Sequence, residues 1–286
     1  MPIGLRHAPR GEIGKTATLI GLFLYSICNA SAVANPLFTA DDVLEVTLTG
    51  PLSSLIEDPE HKVEAPFILT ADGVEHSIAV RTRGNSRLQV CEFPPLRLNF
   101  VREATRGSVF EGQNKLKLVT HCRNYDRGEQ DMLEEFLAYR LFNVLTDASF
   151  RVRMMRIRYV DTDGGLDDDA SFRYGFALEP EDQLAARLGG APAEISGVPK
   201  RRHDLEQASL LYLFQYMIGN TDWGFVKADY DDTCCHNVEL FEIDGVIHTI
   251  PYDFDLTGLV NARYARPDPL LRIKTVRQRL YRGLCT

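Results

Sequence analysis

Three short stretches of the chain carry residue types suited to acid–base or metal chemistry. The first is Ile218-Gly219-Asn220-Thr221-Asp222-Trp223, where Asp222 follows what reads as the end of a helix. A carboxylate on a Gly-Asn turn is placed as an exposed base or a metal ligand. Capping and turn formation explain the same residues. The second is His236-Asn237, just ahead of the run VELF. The third is Pro251-Tyr252-Asp253-Phe254-Asp255, directly after VIHTI. Carboxylates at i and i+2 at a strand end suit a divalent cation with hard oxygen ligands, or form a solvated acidic turn.

Taken together, the order is informative. An Asp on a loop, an Asn entering a hairpin and an Asp just after that hairpin is the order protein kinases use. There the first Asp orients a hydroxyl, and the Asn and second Asp hold magnesium against nucleotide phosphates. Phosphoryl transfer needs such groups because charge must be neutralised while nucleophile and phosphate are held in line. No HExxH and no GxSxG occurs, so zinc proteolysis and serine hydrolysis have no motif to rest on.

These residues need elements to hold them. Alternating apolar residues predict strands over 43–48, 77–83, 96–100, 115–119, 154–160 and 173–178, and a short apolar run another over 65–69. The period changes near Asp131. Leu133, Phe136, Leu137, Leu141 and Val144 predict an amphipathic helix from about Gln130 to Leu145. Further helices are expected over 181–188, stopped by Gly189-Gly190, and over 205–218. A hairpin is expected over 238–250 around Asp244-Gly245, and a last, basic-faced helix over 273–281. The expected fold class is α+β, with a sheet-rich part and a helix-rich part.

The set of motifs resembles the kinase-like family of spore-coat protein H (CotH). The segments that carry the resemblance are VRTRGNSR (80–87), FPPLRLNF (93–100), KLKLVTHC (115–122) and EFLAYRLFNVL (135–145). IGNTDW (218–223), HNVELF (236–241) and IPYDFDLTGL (250–259) continue it. The GNTDW segment is also similar to kinases of the HipA toxin type. The resemblance implies a bilobal, atypical protein-kinase-like fold. Residues 35–178 would form a sheet-rich N-lobe with one long helix, and 179–286 a helix-rich C-lobe. It implies Asp222 as the catalytic Asp, Asn237 and Asp253 as metal ligands, and Asp255 as a helper. Glu135 would pair with Lys117 or Lys115. The turn Arg83-Gly84-Asn85-Ser86 would cover phosphates, and Glu179 would mark the hinge. The implied cofactor is Mg2+ or Mn2+ with ATP, and the implied acceptor a protein hydroxyl. A catalytically silent binding or scaffold protein of the cell envelope is the alternative, and a calcium-binding protein using the acidic loop 161–169 a third.

Composition sets the setting. The chain has 286 residues, 44% apolar and 25% charged, with a formal charge of −8. That balance gives no basic surface for nucleic acid. Arg6, Arg10 and Lys15 precede the uncharged stretch from Thr16 to Cys28, and Ala32-Val33-Ala34 closes it with small residues. This is the layout of a signal peptide over 1–34, cleaved near Ala34. The apolar stretch is shorter than the roughly 20 residues a span needs. The expectation is an exported, monomeric protein without a transmembrane span after cleavage. Five cysteines then remain in an oxidising compartment, where disulfides are the default. The expected pairs are Cys91–Cys122, and Cys285 with Cys235 or Cys234. No CxxC pair supports zinc.

Overall fold

The computed structural model describes residues 35–166, 172–193, 195, 198–224 and 234–283, together with Met1. The expected signal segment and Cys285 therefore lie outside the described residues. Seven strands come first: β1 (Leu44–Gly50), β2 (Ala65–Ala71), β3 (Val74–Thr82), β4 (Leu96–Asn99), β5 (Lys115–Val119), β6 (Val152–Asp161) and β7 (Phe172–Leu178). They close into a barrel in the order β1-β2-β3-β4-β5-β7-β6. All neighbours are antiparallel except β1 and β6, which run parallel with Leu44 opposite Met155.

Period two explains what fills the barrel. Leu48, Val80, Leu96, Leu98, Leu116 and Ile157 are buried in its core, while residues one step along each strand face out. Arg81, Arg97 and Lys117 are among those outward residues.

Among the described residues five α-helices accompany the strands: α1 (Leu52–Glu57), α2 (Ser86–Val90), α3 (Asp126–Leu145), α4 (Glu181–Leu188) and α5 (Leu205–Ile218). A second, three-stranded sheet has the order β10-β9-β8, from β8 (Ala191–Pro192), β9 (Val238–Ile243) and β10 (Val246–Pro251). A second core joins these parts through Phe142, Phe150, Phe176, Phe214, Phe241 and Phe254. The helix α5 ends where Gly219 takes the left-handed conformation, φ +69°, and its N–H and that of Asn220 bond back to α5 carbonyls. That is the glycine-terminated helix end expected from the sequence.

The expected bilobal kinase fold is overturned. The strands close on themselves as a mixed barrel rather than forming the open sheet of an N-lobe. Among the described residues after Leu178 there are two α-helices and a small sheet, not a helix-rich lobe. The expected helix over 273–281 is absent. The Gln278 side chain accepts the N–H groups of Lys274 and Thr275, which closes a local turn there. Of Ile273, Val276 and Leu280, whose spacing suggested that helix, only Val276 is buried. Arg279 donates to Met217 O and Arg282 to Trp223 O, so the segment straps the end of α5.

The long helix α3 also turns differently from its apolar stripe. Leu133, Leu137, Leu141 and Val144 are exposed, whereas Met132, Glu135, Tyr139 and Phe142 face inward. The inward face is tolerated because its polar groups find partners, as the site below shows. Among the described residues no helix is long and apolar enough to cross a membrane.

Candidate functional site

Three acids converge on one cation. α2 carries Arg87 inward, α3 carries Glu135, and the turn after β10 carries Asp253 and Asp255. The Arg87 guanidinium lies 2.8 Å from Glu135 Oε1, 2.5 Å from Asp253 Oδ1 and 3.0 Å from Asp255 Oδ2. Its side chain is 9% exposed and that of Glu135 is 3%. Tyr139, one turn beyond Glu135 on the same face of α3, accepts the Asp253 N–H at 2.8 Å through its hydroxyl. The Tyr264 hydroxyl donates to Asp255 Oδ2 at 3.0 Å. Asp253 has φ +60°, a strained conformation for a non-glycine residue.

Crowding separates these carboxyls in acidity. Burial, aided by repulsion from Asp253 and Glu135, outweighs Arg87 and pushes Asp255 up to about 8. Burial also raises Glu135 above the usual carboxyl range, against the pull of Arg87. Burial acts the same way on Asp253, but Arg87 and Arg83 together overcome it and hold Asp253 below the usual range. Burial thus favours the proton on Asp255, while the two arginines favour the ionised form of Asp253.

A second cluster adjoins the first. Asp222 Oδ1 is 2.8 Å from His236 Nε2. The Asn237 amide donates to Asp222 O and Oδ2 at 2.8 and 2.9 Å. Asp222 and Asn237 are fifteen residues apart in the chain; an antiparallel bridge between Gly224 and His236 closes that distance. Asn237 O accepts from Tyr252 N at 3.1 Å, which sets this cluster beside the turn bearing Asp253. Asn237, too, has a positive φ, +52°. The three residues singled out from the sequence, Asp222, Asn237 and Asp253, are therefore brought to one region.

The other expected contributors are arranged otherwise. Lys117 Nζ pairs with Glu181 at 2.7 Å and lies over the Tyr252 ring, not beside Glu135. Lys115 is exposed and lines a shallow pocket with Arg102, Asp182 and Gln183. Arg83 lies near the acidic cluster: burial lowers its pKa and Asp253 opposes that. Asn85 is exposed and precedes α2 without a side-chain capping bond. Glu179 is buried and holds Arg187 and the Arg151 N–H, which is a packing role. Cys91 and Cys122 form the expected disulfide. The expected partner of Cys234 or Cys235, Cys285, lies outside the described residues.

The residue missed from the sequence is Arg87. It closes the motif VRTRGNSR, directly after the glycine turn. The signal was available: Glu135, Asp253 and Asp255 on apolar elements require a buried cation.

Mg2+ or Mn2+ fits this arrangement poorly. Among the described residues no group of three or more His, Cys, Asp or Glu side chains is disposed to hold a metal. One oxygen of each aspartate expected to bind it, Asp253 Oδ1 and Asp255 Oδ2, is turned to Arg87. No known protein family and no curated protein matches the chain.

Proposed function

We propose that this protein is an exported binding protein for a phosphate-bearing anion of the nucleotide class, and that its acidic centre works without a divalent metal. What supports an anionic ligand is the row of cations Arg81, Arg97 and Lys117, opposed across β3, β4 and β5; what supports a centre without a metal is the single Arg87 guanidinium in contact with Glu135, Asp253 and Asp255. A guanidinium stays protonated in a protein. It offsets part of the acids' charge but offers no open coordination position, which a catalytic metal must have. Export is supported by the Cys91–Cys122 bond, since disulfides persist in oxidising compartments, and by the layout of residues 1–34.

Thermal unfolding with ATP in EDTA, and with ATP plus Mn2+, tests this. The expected result is the same shift in both, near 2.7 kcal/mol at about 100 times the dissociation constant. A shift that needs Mn2+ and disappears in Asp253→Ala overturns the reading.

One observation favours a second reading, phosphoryl transfer to a protein hydroxyl. Asp222 is partly exposed, at 37% of its side chain, and is oriented by His236 and Asn237 as a hydroxyl-orienting base should be. Incubation with labelled ATP and Mn2+ separates the two. Label transfer abolished in Asp222→Ala supports catalysis, and its absence supports binding alone.

A further inference from the structure

Strand register lines up three cations on the outer face of the barrel. Arg81 of β3 is opposite Arg97 of β4, and Arg97 is opposite Lys117 of β5. Like charges in directly opposed pairs destabilise a sheet, and here Arg97 is shared by two such pairs. The ends of the row are answered. Lys117 has Glu181 and the Tyr252 ring, and Arg81 donates to Thr82 O at 3.0 Å.

Arg97 is not answered. Among the described residues no ion pair or hydrogen bond engages its guanidinium, and its Nε is buried without a partner. Burial and then Arg81 lower its pKa, with Glu181 and Glu64 opposing. Arg83, just past the end of β3, feels both Arg97 and Asp253 and extends the positive band toward the acidic cluster. The band stands out against a chain of net charge −8, so it focuses anions locally.

We propose that the row Arg81–Arg97–Lys117 is a binding site for linear polyphosphate, either inorganic tripolyphosphate or the triphosphate of a nucleotide, with Arg97 as its central contact. This names the ligand of the binding protein proposed above and rests on that reading. Neighbouring strands lie about 4.8 Å apart, so the row spans roughly 10 Å. One phosphate reaches one or two of these cations, whereas linked phosphates reach all three. Guanidinium groups suit phosphate because they donate two parallel N–H bonds.

Calorimetric titration of the purified protein in EDTA tests the site, with tripolyphosphate, ATP and inorganic phosphate as probes. Tripolyphosphate is expected to bind at least 10-fold more tightly than phosphate. Arg97→Gln is expected to weaken it at least 10-fold, and Arg97→Lys to recover most of the loss. An unchanged or raised Tm of Arg97→Gln without ligand shows that the variant folds, since it removes an unpaired charge. Equal affinity for ATP and tripolyphosphate identifies a site that reads phosphates alone, and tighter ATP one that reads the nucleoside as well; either supports the assignment. Tripolyphosphate binding in EDTA that is indifferent to Arg97→Gln, or no tripolyphosphate binding with or without Mn2+, overturns the site. Binding seen only with Mn2+ but still lost in Arg97→Gln keeps the site and removes the metal-free reading.

Discussion

Arg87 and Glu135, 48 residues apart in the chain, meet in a buried ion pair 2.8 Å long. The pair ties the five-residue α2 to the twenty-residue α3. It also places a permanent positive charge where the two aspartates after β10 converge.

Arg87→Gln should therefore unfold at lower urea, by about 3–5 kcal/mol, because it leaves buried acids without their partner. Glu135→Gln should cost less, since Asp253 and Asp255 still face the arginine. Equal midpoints for wild type and Arg87→Gln would contradict the role given to the guanidinium.

The acidity of Asp255 makes a pH prediction. Its folded pKa of about 8 lies above the ordinary 3.8, so between those values the folded state keeps a proton the unfolded chain has lost. That contribution to stability is complete below about pH 4 and is lost as pH rises through 8. Asp255→Asn should remove the loss, gaining on the order of 4 kcal/mol over wild type at pH 8.5 relative to pH 5. Urea midpoints at the two pH values measure it, and parallel pH dependence in both proteins would count against it.

The Cys91–Cys122 bond closes a loop with a sequence separation of 31. Chain-entropy reasoning for a loop of that length gives about 4 kcal/mol. Cys91→Ser should lower the unfolding midpoint accordingly. Non-reducing peptide mapping should recover the linked pair, and finding both thiols free would refute it.

Phe254 sits between Asp253 and Asp255 and is fully buried. Its ring lies 4.7 Å from that of Tyr139 and 5.8 Å from that of Phe214. Phe254→Ala should cost about 3–5 kcal/mol. It should also loosen the hold on both carboxylates, read as weaker protection of the Asp253 amide in hydrogen exchange. A stability loss below 1 kcal/mol would mean that the aromatic packing does not set this turn.

Much of the local structure was legible. β5, α4 and α5 occur over the spans their periodicity predicts, and the Asp222, Asn237 and Asp253 positions do come together. Closure of the barrel was not legible, because the pairing of β1 with β6 joins residues such as Leu44 and Met155 that share no local pattern. Arg87 was missed because a five-residue helix carries too little periodicity to signal which way it faces. The final segment misled because its apolar spacing suits a helix, while its arginines tie it to Met217 and Trp223 carbonyls in contacts that no local pattern signals.

The parallel pairing of β1 with β6 also has a consequence in time. The strand made first waits for a partner that emerges more than a hundred residues later, with Glu45 meeting Arg156 across 111 positions. Contacts of such long range slow folding. Until β6 arrives, one edge of the growing sheet has no neighbour, and such an edge is where chains stick to one another. A nascent chain of this protein is thus most vulnerable before Val152 to Asp161 is available, and a chain truncated ahead of β6 should aggregate rather than fold.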